Sequence, residues 1–407
     1  MTTPQTDHSR RDPEITIDTH LVDCCVVGGG PAGIVLAILL ARKGIRVHVL
    51  DTDDRESSAD LVHAGVLEVL DTVGLAQPLL EHARAHVARL AIKSADREIP
   101  LADFSRLETR FPFAALVPET RLVEFLSRHA RDDAGVSFTR GAGVTELVRD
   151  DGRVVGARVP GLEIRAKLTV VFDGRFFNAP EFAGLTVVRS APTAEVLWFR
   201  LPRVPGDSMA SGGGLWAGSG RLLIQLDGDH EWRLGMVMPS GRTRIQREAG
   251  LPAFKQAVAR LAPEFADRLE SLVDWRSIQA CSVESGRLGN WHRPGLLFLG
   301  EAAHPMMPMA SVGLGYAIQD AVEAANVLAD PLRTGAVATA HLIEIQRRRE
   351  LATRIIQAVM ARIQKRILAE GPRGSRPFRL PLVFKIPGFS ALLTRLIARG
   401  PWRVRVD

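Results

Sequence analysis

The sequence is poor in cysteine and lacks an unbroken apolar run of membrane-spanning length. Its three cysteines, Cys24, Cys25 and Cys281, are too few to cross-link 407 residues and match no zinc pattern, which favours a reducing, cytoplasmic compartment. The most apolar stretch, 22–41, is interrupted by glycines and Pro31, so it predicts a strand, a turn and a buried helix. Residues 1–18 lack the apolar core of a signal peptide and predict a disordered lead-in.

Excess positive charge is confined to the end of the chain. The formal net charge is +6, yet residues 371–407 alone hold eight basic residues and one acid, which leaves the rest almost neutral. A neutral body without aromatic residues between its cations argues against a nucleic-acid partner. Apolar residues alternate with the cations of this tail. They predict either a cap on the folded domains or contact with an anionic membrane surface.

Apolar patterning predicts an α/β fold with two interleaved domains. A strand at 21–27, a helix at 34–43 and a strand at 45–50 form a βαβ start, which implies a parallel sheet. Strand-like segments at 195–201, 221–226 and 231–238 predict an antiparallel sheet, with a hairpin turn at 227–230 and a loop at 206–220. Further helices are expected at 252–262, 264–273, 316–328, 341–369 and 390–399.

Six residues between the first strand and helix match a dinucleotide-binding turn. In Gly28-x-Gly30-x-x-Gly33, the first glycine permits the tight turn, the second admits a pyrophosphate, and the third allows close helix–strand packing. Asp51, at the end of the second strand, is placed to accept hydrogen bonds from ribose hydroxyls. Among the sequence motifs, no metal-ligand cluster, Ser–His–Asp spacing or phosphate-binding Walker loop stands out.

Two further motifs follow in order: Asp173-Gly174-Arg175 after a strand, and Gly300-Glu301-Ala302-Ala303-His304 after another, leading to Tyr316-Ala317-Ile318-Gln319-Asp320-Ala321. With these motifs the chain resembles the group A flavoprotein monooxygenases, which have the para-hydroxybenzoate hydroxylase fold. More narrowly it resembles their bacterial FAD-dependent oxidoreductase branch. The resemblance runs from about Asp23 to the C-terminus. For the basic tail, it favours a cap on the folded domains over contact with a membrane.

The resemblance implies a Rossmann-like FAD-binding domain of residues 19–75, 113–180 and 280–340. It is interleaved with an antiparallel substrate domain of 76–112 and 181–279, and 341–407 form C-terminal helices and the basic tail. It also implies the FAD contacts. The adenosine half would meet Gly28, Gly30, Pro31, Ala32, Gly33 and Asp51, the pyrophosphate Arg121, and adenine the backbone of Val144. Asp173, Gly300 and Glu301 would hold the middle of FAD, and the helix start Gly313, Leu314, Gly315 would face the flavin pyrimidine edge.

Several positions depart from that branch. Glu301 replaces the usual Asp, Ala310-Ser311 the usual Gly-Gly, Gly315 an Asn, and Ser58-Ala59 an Arg-Gly pair. After Arg175, Phe177 or Asn178 replaces a Ser, and Pro180 an Arg. Because glycine supplies positive φ and close approach, the Cβ atoms of Ala310 and Ser311 are expected to narrow the flavin site.

For the candidate catalytic and substrate residues, the sequence allows either a functional or a structural role. His304 is a candidate general acid or a loop anchor, and His63 is a candidate for the same two roles. Trp198, Trp232 and Met236 line a substrate cavity or fill the core; Arg233 pairs with an acidic substrate or forms a surface ion pair. Tyr316, the single tyrosine, contacts substrate or packs.

Two functions are compatible with these observations. In the first, NAD(P)H reduces FAD, O₂ forms a flavin peroxide, and a hydrophobic aromatic or polycyclic small molecule of natural-product biosynthesis or catabolism is oxygenated. In the alternative, FAD is structural or lost and the pocket directs a non-redox cyclisation or rearrangement. The departures from the flavin-contact pattern motivate the alternative.

Overall fold

The computed structural model describes residues 18–53, 59–94, 97–174, 185–189, 193–204, 207, 214–227, 231–369 and 388–407. In chain order the described strands are β1 (Asp18–Val27), β2 (Val47–Asp51), β3 (Ala59–Val62), β4 (Ala85–Val87), β5 (Arg89–Ser94), β6 (Arg97–Asp103), β7 (Ala114–Pro118), β8 (Val136–Arg140), β9 (Glu146–Asp150), β10 (Arg153–Val159), β11 (Leu162–Val171), β12 (Val187–Arg189), β13 (Ala194–Pro202), β14 (Gly214–Gly218), β15 (Arg221–Asp227), β16 (Glu231–Pro239), β17 (Gln279–Val283), β18 (Gly286–Leu288), β19 (His292–Arg293) and β20 (Leu296–Phe298).

The described α-helices are α1 (Pro31–Ala41), α2 (Ala64–Thr72), α3 (Ala76–Leu80), α4 (Glu119–Asp132), α5 (Arg242–Glu248), α6 (Leu251–Leu261), α7 (Val312–Thr334), α8 (Thr339–Leu368) and α9 (Phe389–Arg399). The segment Pro263–Ser271, predicted as an α-helix over 264–273, forms a 3-10 helix instead. The helix predicted over 316–328 is longer, spanning Val312–Thr334, and the other predicted helices are present within a few residues of their expected ends.

A parallel sheet carries the predicted βαβ unit. β1 pairs in parallel with β2 and β11, and the order across the sheet is β20-β11-β1-β2-β8. Residues 23–27 of β1 and all of β2 are buried, as expected for parallel strands that are covered on both faces. The prediction of an α/β fold with a parallel sheet and a separate antiparallel sheet is confirmed.

The second large sheet has the order β17-β13-β16-β15-β14-β5-β6. The strands predicted at 195–201, 221–226 and 231–238 are its β13, β15 and β16, and residues 228–230 of their expected hairpin turn lie outside the described residues. The loop predicted over 206–220 was wrong in part. Residues 214–218 form β14, because Leu215 and Trp216 pair with Ile224 and Leu223 of β15. β17 also runs across the domain boundary predicted at residue 280.

The C-terminal helix α9 packs on the body of the protein. Leu393, Leu396 and Ile397 are buried, and Arg399 pairs with Glu68 of α2. In its described part, 388–407, the basic tail is therefore the predicted cap; 370–387 lie outside the described residues. Across the described ranges, no helix has both the length and the apolarity to cross a membrane.

Candidate active site

A cleft of about 720 Å³ lies between the parallel and the antiparallel sheet. Loops at the carboxyl ends of parallel strands, together with the start of α4, form one side, which we call the motif wall. It is lined by Gly28, Gly30, Pro31, Ala32, Asp51, Glu119, Asp173, Gly174 and Glu301. The antiparallel sheet forms the other side, the sheet wall, lined by Arg89, Lys93, Glu98, Trp198, Leu215, Ile224, Leu226 and Arg233. Open α/β sheets bind ligands at the carboxyl ends of their strands, so this cleft is the candidate active site.

The glycine turn of the motif wall has the geometry predicted for it. Gly28 has a φ of +109°, and a Cβ there would lie 2.9 Å from the backbone nitrogen of Asp173. A Cβ at Gly33 would lie 2.1 Å from the Gly28 carbonyl oxygen, so helix α1 packs against β1 only with glycine at this position. Neither residue can be replaced without moving backbone.

Gly30 differs from its neighbours, since an added Cβ would meet no protein atom within 4 Å. The open space lies at the start of α1, where the first-turn N–H groups and the helix dipole attract an anion. Next to it, the buried Asp51 carboxylate lies over Gly29, whose Cβ would be only 2.7 Å from it. A helix start with room for a pyrophosphate, beside an acid at the ribose position, fits FAD.

The rest of the motif wall is acidic. Together with Asp51, the carboxylates of Glu119, Asp173 and Glu301 line it. Burial among protein atoms raises the pKa of Glu301, although its side chain is still reached by solvent from the cleft. The negative charges of Glu119 and Asp173 raise this pKa further, against the opposing effect of His304. These acids favour hydroxyl donors, such as those of ribose and ribitol, over further anions.

A buried ionic network supports the turn that presents Glu301. Asp320 on α7 accepts hydrogen bonds from the Gly300 backbone N–H at 3.1 Å, from His304 Nε2 at 2.5 Å and from Arg349 Nε at 2.7 Å. Burial by itself raises the pKa of Asp320, but His304 and Arg349 outweigh it and hold the pKa below its usual value. Asp320 and Arg349 are fully buried, so the loss of either side chain would leave the charge of the other buried without its partner.

The residues before α7 adopt a backbone that glycine normally occupies. Ala310 has a φ of +57° and Ser311 a φ of +49°, and both line the cleft. Two hydrogen bonds hold them: His63 Nε2 donates to the Ala310 carbonyl at 2.6 Å, and the Leu61 N–H donates to Ser311 Oγ at 3.0 Å. Burial lowers the pKa of His63 to about 4, so the imidazole is neutral at physiological pH.

On the sheet wall, an aromatic ring and a cation lie together. Trp198 of β13 stands opposite Gly235 of β16, and the guanidinium carbon of Arg233 lies 4.4 Å from the centroid of the Trp198 ring. A Cβ at Gly235 would come within 2.7 Å of the indole, so this glycine makes room for the ring. Leu215, Ile224 and Leu226 surround the pair with apolar surface.

Comparison with known proteins agrees with this geometry. A family model described as the FAD binding domain matches residues 21–359. The chain belongs to this family. It is 27% identical over 405 residues to the 6-methylpretetramide 4-monooxygenase of Streptomyces rimosus, covering 97% of this chain and 96% of that one. The recognised group A resemblance is thereby confirmed, and the protein is an FAD-dependent monooxygenase.

Solved structures show the same fold. A probable FAD-dependent monooxygenase from Pseudomonas aeruginosa superimposes with a TM-score of 0.70 at 20% identity, over 86% of this chain and 98% of that one. The Diels-Alderase of the pyrroindomycin pathway superimposes with a TM-score of 0.69 at 22% identity, over 94% of this chain and 80% of that one. At such identities the likeness concerns the fold alone.

In this FAD-dependent monooxygenase, most of the predicted cofactor residues meet at the cleft. Gly28, Gly30, Pro31, Ala32, Asp51, Asp173, Glu301, Gly313 and Leu314 line it, while Gly33 and Gly300 lie behind it and shape its turns. Gly315 is buried, and its closest neighbour from another element is Val66. Arg121 is largely exposed and lies 3.7 Å from Glu124, and Val144 is half-buried in the loop before β9; neither lines the cleft.

For three candidate substrate residues and the candidate general acid, the structure favours the structural one of the two roles that the sequence left open. Trp232 and Met236 lie on the opposite face of β16, in a core with Phe254 of α6. Tyr316 is fully buried and donates a hydrogen bond to the Leu396 carbonyl of α9. His304 is buried behind the cleft and directed at Asp320, so it has the geometry of a loop anchor.

Several residues of the site escaped sequence reasoning. Arg233 was left open between an acidic substrate and a surface ion pair, and it lines the cleft on Trp198; Glu119, which also lines the cleft, was not singled out at all. Arg349 lies inside a helical pattern that is rich in basic residues, and only its contact with Asp320 distinguishes it. In the described part of the chain, no group of three or more His, Cys, Asp or Glu residues is arranged to hold a metal ion.

Proposed function

We propose that the protein oxygenates a hydrophobic aromatic or polycyclic small molecule, with NAD(P)H as reductant and O₂ as co-substrate. The cleft carries the proposal, because one continuous cavity of about 720 Å³ joins the dinucleotide turn to the apolar face of the antiparallel sheet. A cavity of this size matches the range of small-molecule and cofactor sites. The relative that acts on 6-methylpretetramide supports a polycyclic substrate.

Within this function the side chains would position the cofactor and the substrate and shield them from water. Gly30 and the start of α1 would hold the pyrophosphate, Asp51 the ribose, and Glu301 the hydroxyls of the central chain. The bound cofactor would supply hydride acceptance and oxygen activation. The N-terminus of α7, at Val312–Leu314, would stabilise negative charge at the flavin ring, and Leu215, Ile224 and Leu226 would exclude water.

The first test is the absorbance of the purified protein between 350 and 500 nm, followed by NAD(P)H oxidation with a panel of polycyclic phenols. We expect a flavin spectrum, substrate-stimulated NAD(P)H consumption and a product heavier by one oxygen atom, labelled from ¹⁸O₂. Flavin that nicotinamide fails to reduce in the presence of every phenol that binds would contradict the proposal.

The alternative, a non-redox cyclisation, is favoured by one observation at the site. The left-handed Ala310-Ser311 pair brings two Cβ atoms into the segment before α7, and the Diels-Alderase described above has the same fold. For this function the expected result is a flavin-free or redox-silent protein that converts a polyene substrate to a product of unchanged mass. Bound flavin whose reduction by nicotinamide is accelerated by substrate excludes it.

A further inference from the structure

We propose that His63 is a positioning residue for the flavin ring, because its hydrogen bond to the Ala310 carbonyl fixes the turn from which helix α7 starts. The proposal deepens the proposed function and rests on it in one respect, that the flavin ring lies at the start of α7. It gives a buried histidine, which does not itself line the cleft, the task of holding the backbone that faces the flavin.

His63 lies at the junction of β3 and α2 and is held there by both its backbone and its side chain. Its imidazole is fully buried and packs against the Phe104 ring, with 5.4 Å between the ring centroids. Its carbonyl oxygen accepts hydrogen bonds from the Val66 and Leu67 N–H groups, at 2.9 and 3.0 Å, in the first turn of α2. The orientation of the imidazole is therefore set by the protein around it.

The imidazole reaches the segment before α7. Its Nε2 lies 2.6 Å from the Ala310 carbonyl oxygen, and because a carbonyl can only accept, the ring proton resides on Nε2. Two residues earlier in the chain, the Leu61 N–H donates to Ser311 Oγ at 3.0 Å. Two hydrogen bonds thus connect residues 61–63 with residues 310–311, and we call this pair of bonds the latch.

The turn needs such support because its backbone is strained. Ala310 and Ser311 have φ values of +57° and +49°, in the left-handed region that residues with a Cβ rarely adopt. Two consecutive residues of this kind persist only where the surrounding structure outweighs the strain. Without the His63 donor, Ala310 would relax toward negative φ, which would redirect the peptide groups that follow it.

Helix α7 begins immediately after this turn. Val312, Gly313 and Leu314 form the start of its first turn, and all three line the cleft. The first N–H groups of a helix have no partner within the helix and favour negative charge nearby. Reduction adds negative charge to a flavin ring, so the placement of these N–H groups affects the reduced form more than the oxidised form. His63 would act on the flavin through this backbone, without touching it.

The first test measures the two-electron reduction potential of the bound flavin with a chemical reductant. In His63→Leu the donor is lost. Reduced FAD should then bind about 3-fold to 30-fold less tightly relative to oxidised FAD, within the range for a charge at a helix end. This ratio corresponds to a potential lower by about 15–45 mV. His63→Gln keeps an N–H donor at a similar reach and should recover most of the difference.

His48 provides a matched control. Like His63 it is buried, and burial lowers the pKa of each imidazole to about 4. Its ring nitrogens lie 2.8 Å from the hydroxyls of Ser137 and Thr139 on β8, so it has no part in the latch. His48→Leu should cost stability and leave the flavin potential unchanged. Equal potentials in wild type and His63→Leu, equal shifts in the two leucine variants, or no recovery in His63→Gln overturn the proposal.

A second measurement needs no flavin and asks whether His63 and Ala310 act together. In the apoprotein, Ala310→Gly should lower the equilibrium constant of unfolding by about 2-fold to 5-fold, because glycine relieves the left-handed strain. In the His63→Leu background the turn is already free to relax, so the same substitution should lower the constant by less than about 1.5-fold. Equal gains in both backgrounds contradict the latch.

A third measurement uses only the wild-type protein, so it does not depend on a variant that folds. In protein labelled with ¹⁵N-histidine, the Nε2 resonance of His63 should differ between oxidised and reduced flavin, because coupling between two sites is reciprocal. The resonances of His48 should not change. Identical His63 resonances in the two redox states overturn the proposal.

None of these measurements uses nicotinamide or a substrate, which keeps the two hypotheses apart. A potential that depends on His63, in a protein whose flavin nicotinamide does not reduce, supports the positioning role and contradicts the monooxygenase proposal. Oxygen transfer by a protein whose potential is the same with and without His63 does the reverse.

Discussion

On the motif wall an added Cβ at Gly28 or Gly33 would meet backbone atoms, whereas on the sheet wall an added Cβ at Gly235 would meet the end of the Trp198 side chain. The first conflict can be relieved only by shifting a strand against a helix, the second by turning one indole. The two walls of the cleft therefore differ in how well they tolerate an added side chain. Backbone geometry shapes the motif wall, whereas side chains that can move shape the sheet wall.

The charges of the two walls follow the same division. On the motif wall, Glu301 sits on a turn that the buried Asp320, His304 and Arg349 hold in place. On the sheet wall, the guanidinium of Arg233 lies over the Trp198 ring of the adjacent strand. Substitutions should thus cost stability on the first wall and alter selectivity on the second.

The largest expected effect comes from breaking the support of the motif wall. Asp320→Ala leaves Arg349 and His304 buried without their carboxylate and should lower the free energy of unfolding by about 3–5 kcal/mol. Asp330→Ala, on the same helix, removes an exposed partner of Arg333 and should cost less than about 1 kcal/mol. Urea denaturation measures both, and similar losses for the two variants would contradict a role for burial.

The buried carboxylate of Asp320 also predicts that the stability of the protein depends on pH. The pKa of Asp320 is lower in the folded protein than its unperturbed value of 3.8. Its ionised form therefore stabilises the fold above that value, and the contribution is lost as the pH falls toward the folded pKa. The stability difference between wild type and Asp320→Asn should shrink on acidification below about pH 4.

The next effect separates two glycines of one turn. Gly33→Ala should destabilise the protein by about 1–3 kcal/mol, because its Cβ overlaps the Gly28 carbonyl. Gly30→Ala should change apo-protein stability by less than about 0.5 kcal/mol and yet weaken FAD binding by at least about 10-fold, since its Cβ enters the space left for the pyrophosphate. Flavin titration of refolded apoprotein tests this; unchanged FAD affinity in Gly30→Ala would place the cofactor elsewhere.

One substitution in the turn before α7 is expected to stabilise the protein instead of destabilising it. Ala310→Gly removes a Cβ from a left-handed residue and should stabilise the protein by up to about 1 kcal/mol, with tighter FAD binding. Ala249→Gly is the control, because Ala249 has an ordinary φ of −70° and should lose about 0.5–1 kcal/mol. Thermal unfolding with and without FAD distinguishes the two. A loss of stability in both would show that the left-handed turn carries no strain.

A small effect on stability is also expected on the sheet wall. Gly235→Ala should displace the Trp198 ring at a cost below about 1.5 kcal/mol, while it changes tryptophan fluorescence. Gly218→Ala is the control, since its Cβ would contact only Leu261, 3.3 Å away and outside the cleft. If Gly235→Ala unfolds the protein, the sheet wall is as intolerant as the motif wall and the comparison fails.

Parts of the site were predictable because their geometry is local. The turn from Gly28 to Gly33 is six consecutive residues between a strand and a helix, so its backbone and its anion-binding N–H groups follow from the sequence itself. The alternation on β16 likewise places Trp232 and Met236 on one face and Arg233 on the other.

Which face of β16 meets the cleft depends on tertiary structure. Alternation is unchanged when a sheet is turned over, so the pattern cannot tell whether tryptophan or arginine faces the ligand. Packing of Phe254 from α6 against Trp232 and Met236 decides it, and Arg233 is left to the cleft. Arg349 meets Asp320 because α8 packs against α7, and His304 meets it because the turn that begins at Gly300 lies against α7.

The sequence by itself determined the α/β fold class, the dinucleotide turn and the FAD-dependent family, because short-range backbone constraints and ordered motifs specify them. Only the tertiary structure decided that the basic tail caps the body through α9, that His304 is directed at Asp320, and that Arg233 lines the cleft. These outcomes depend on contacts between residues far apart in the chain, whose partners no local pattern specifies.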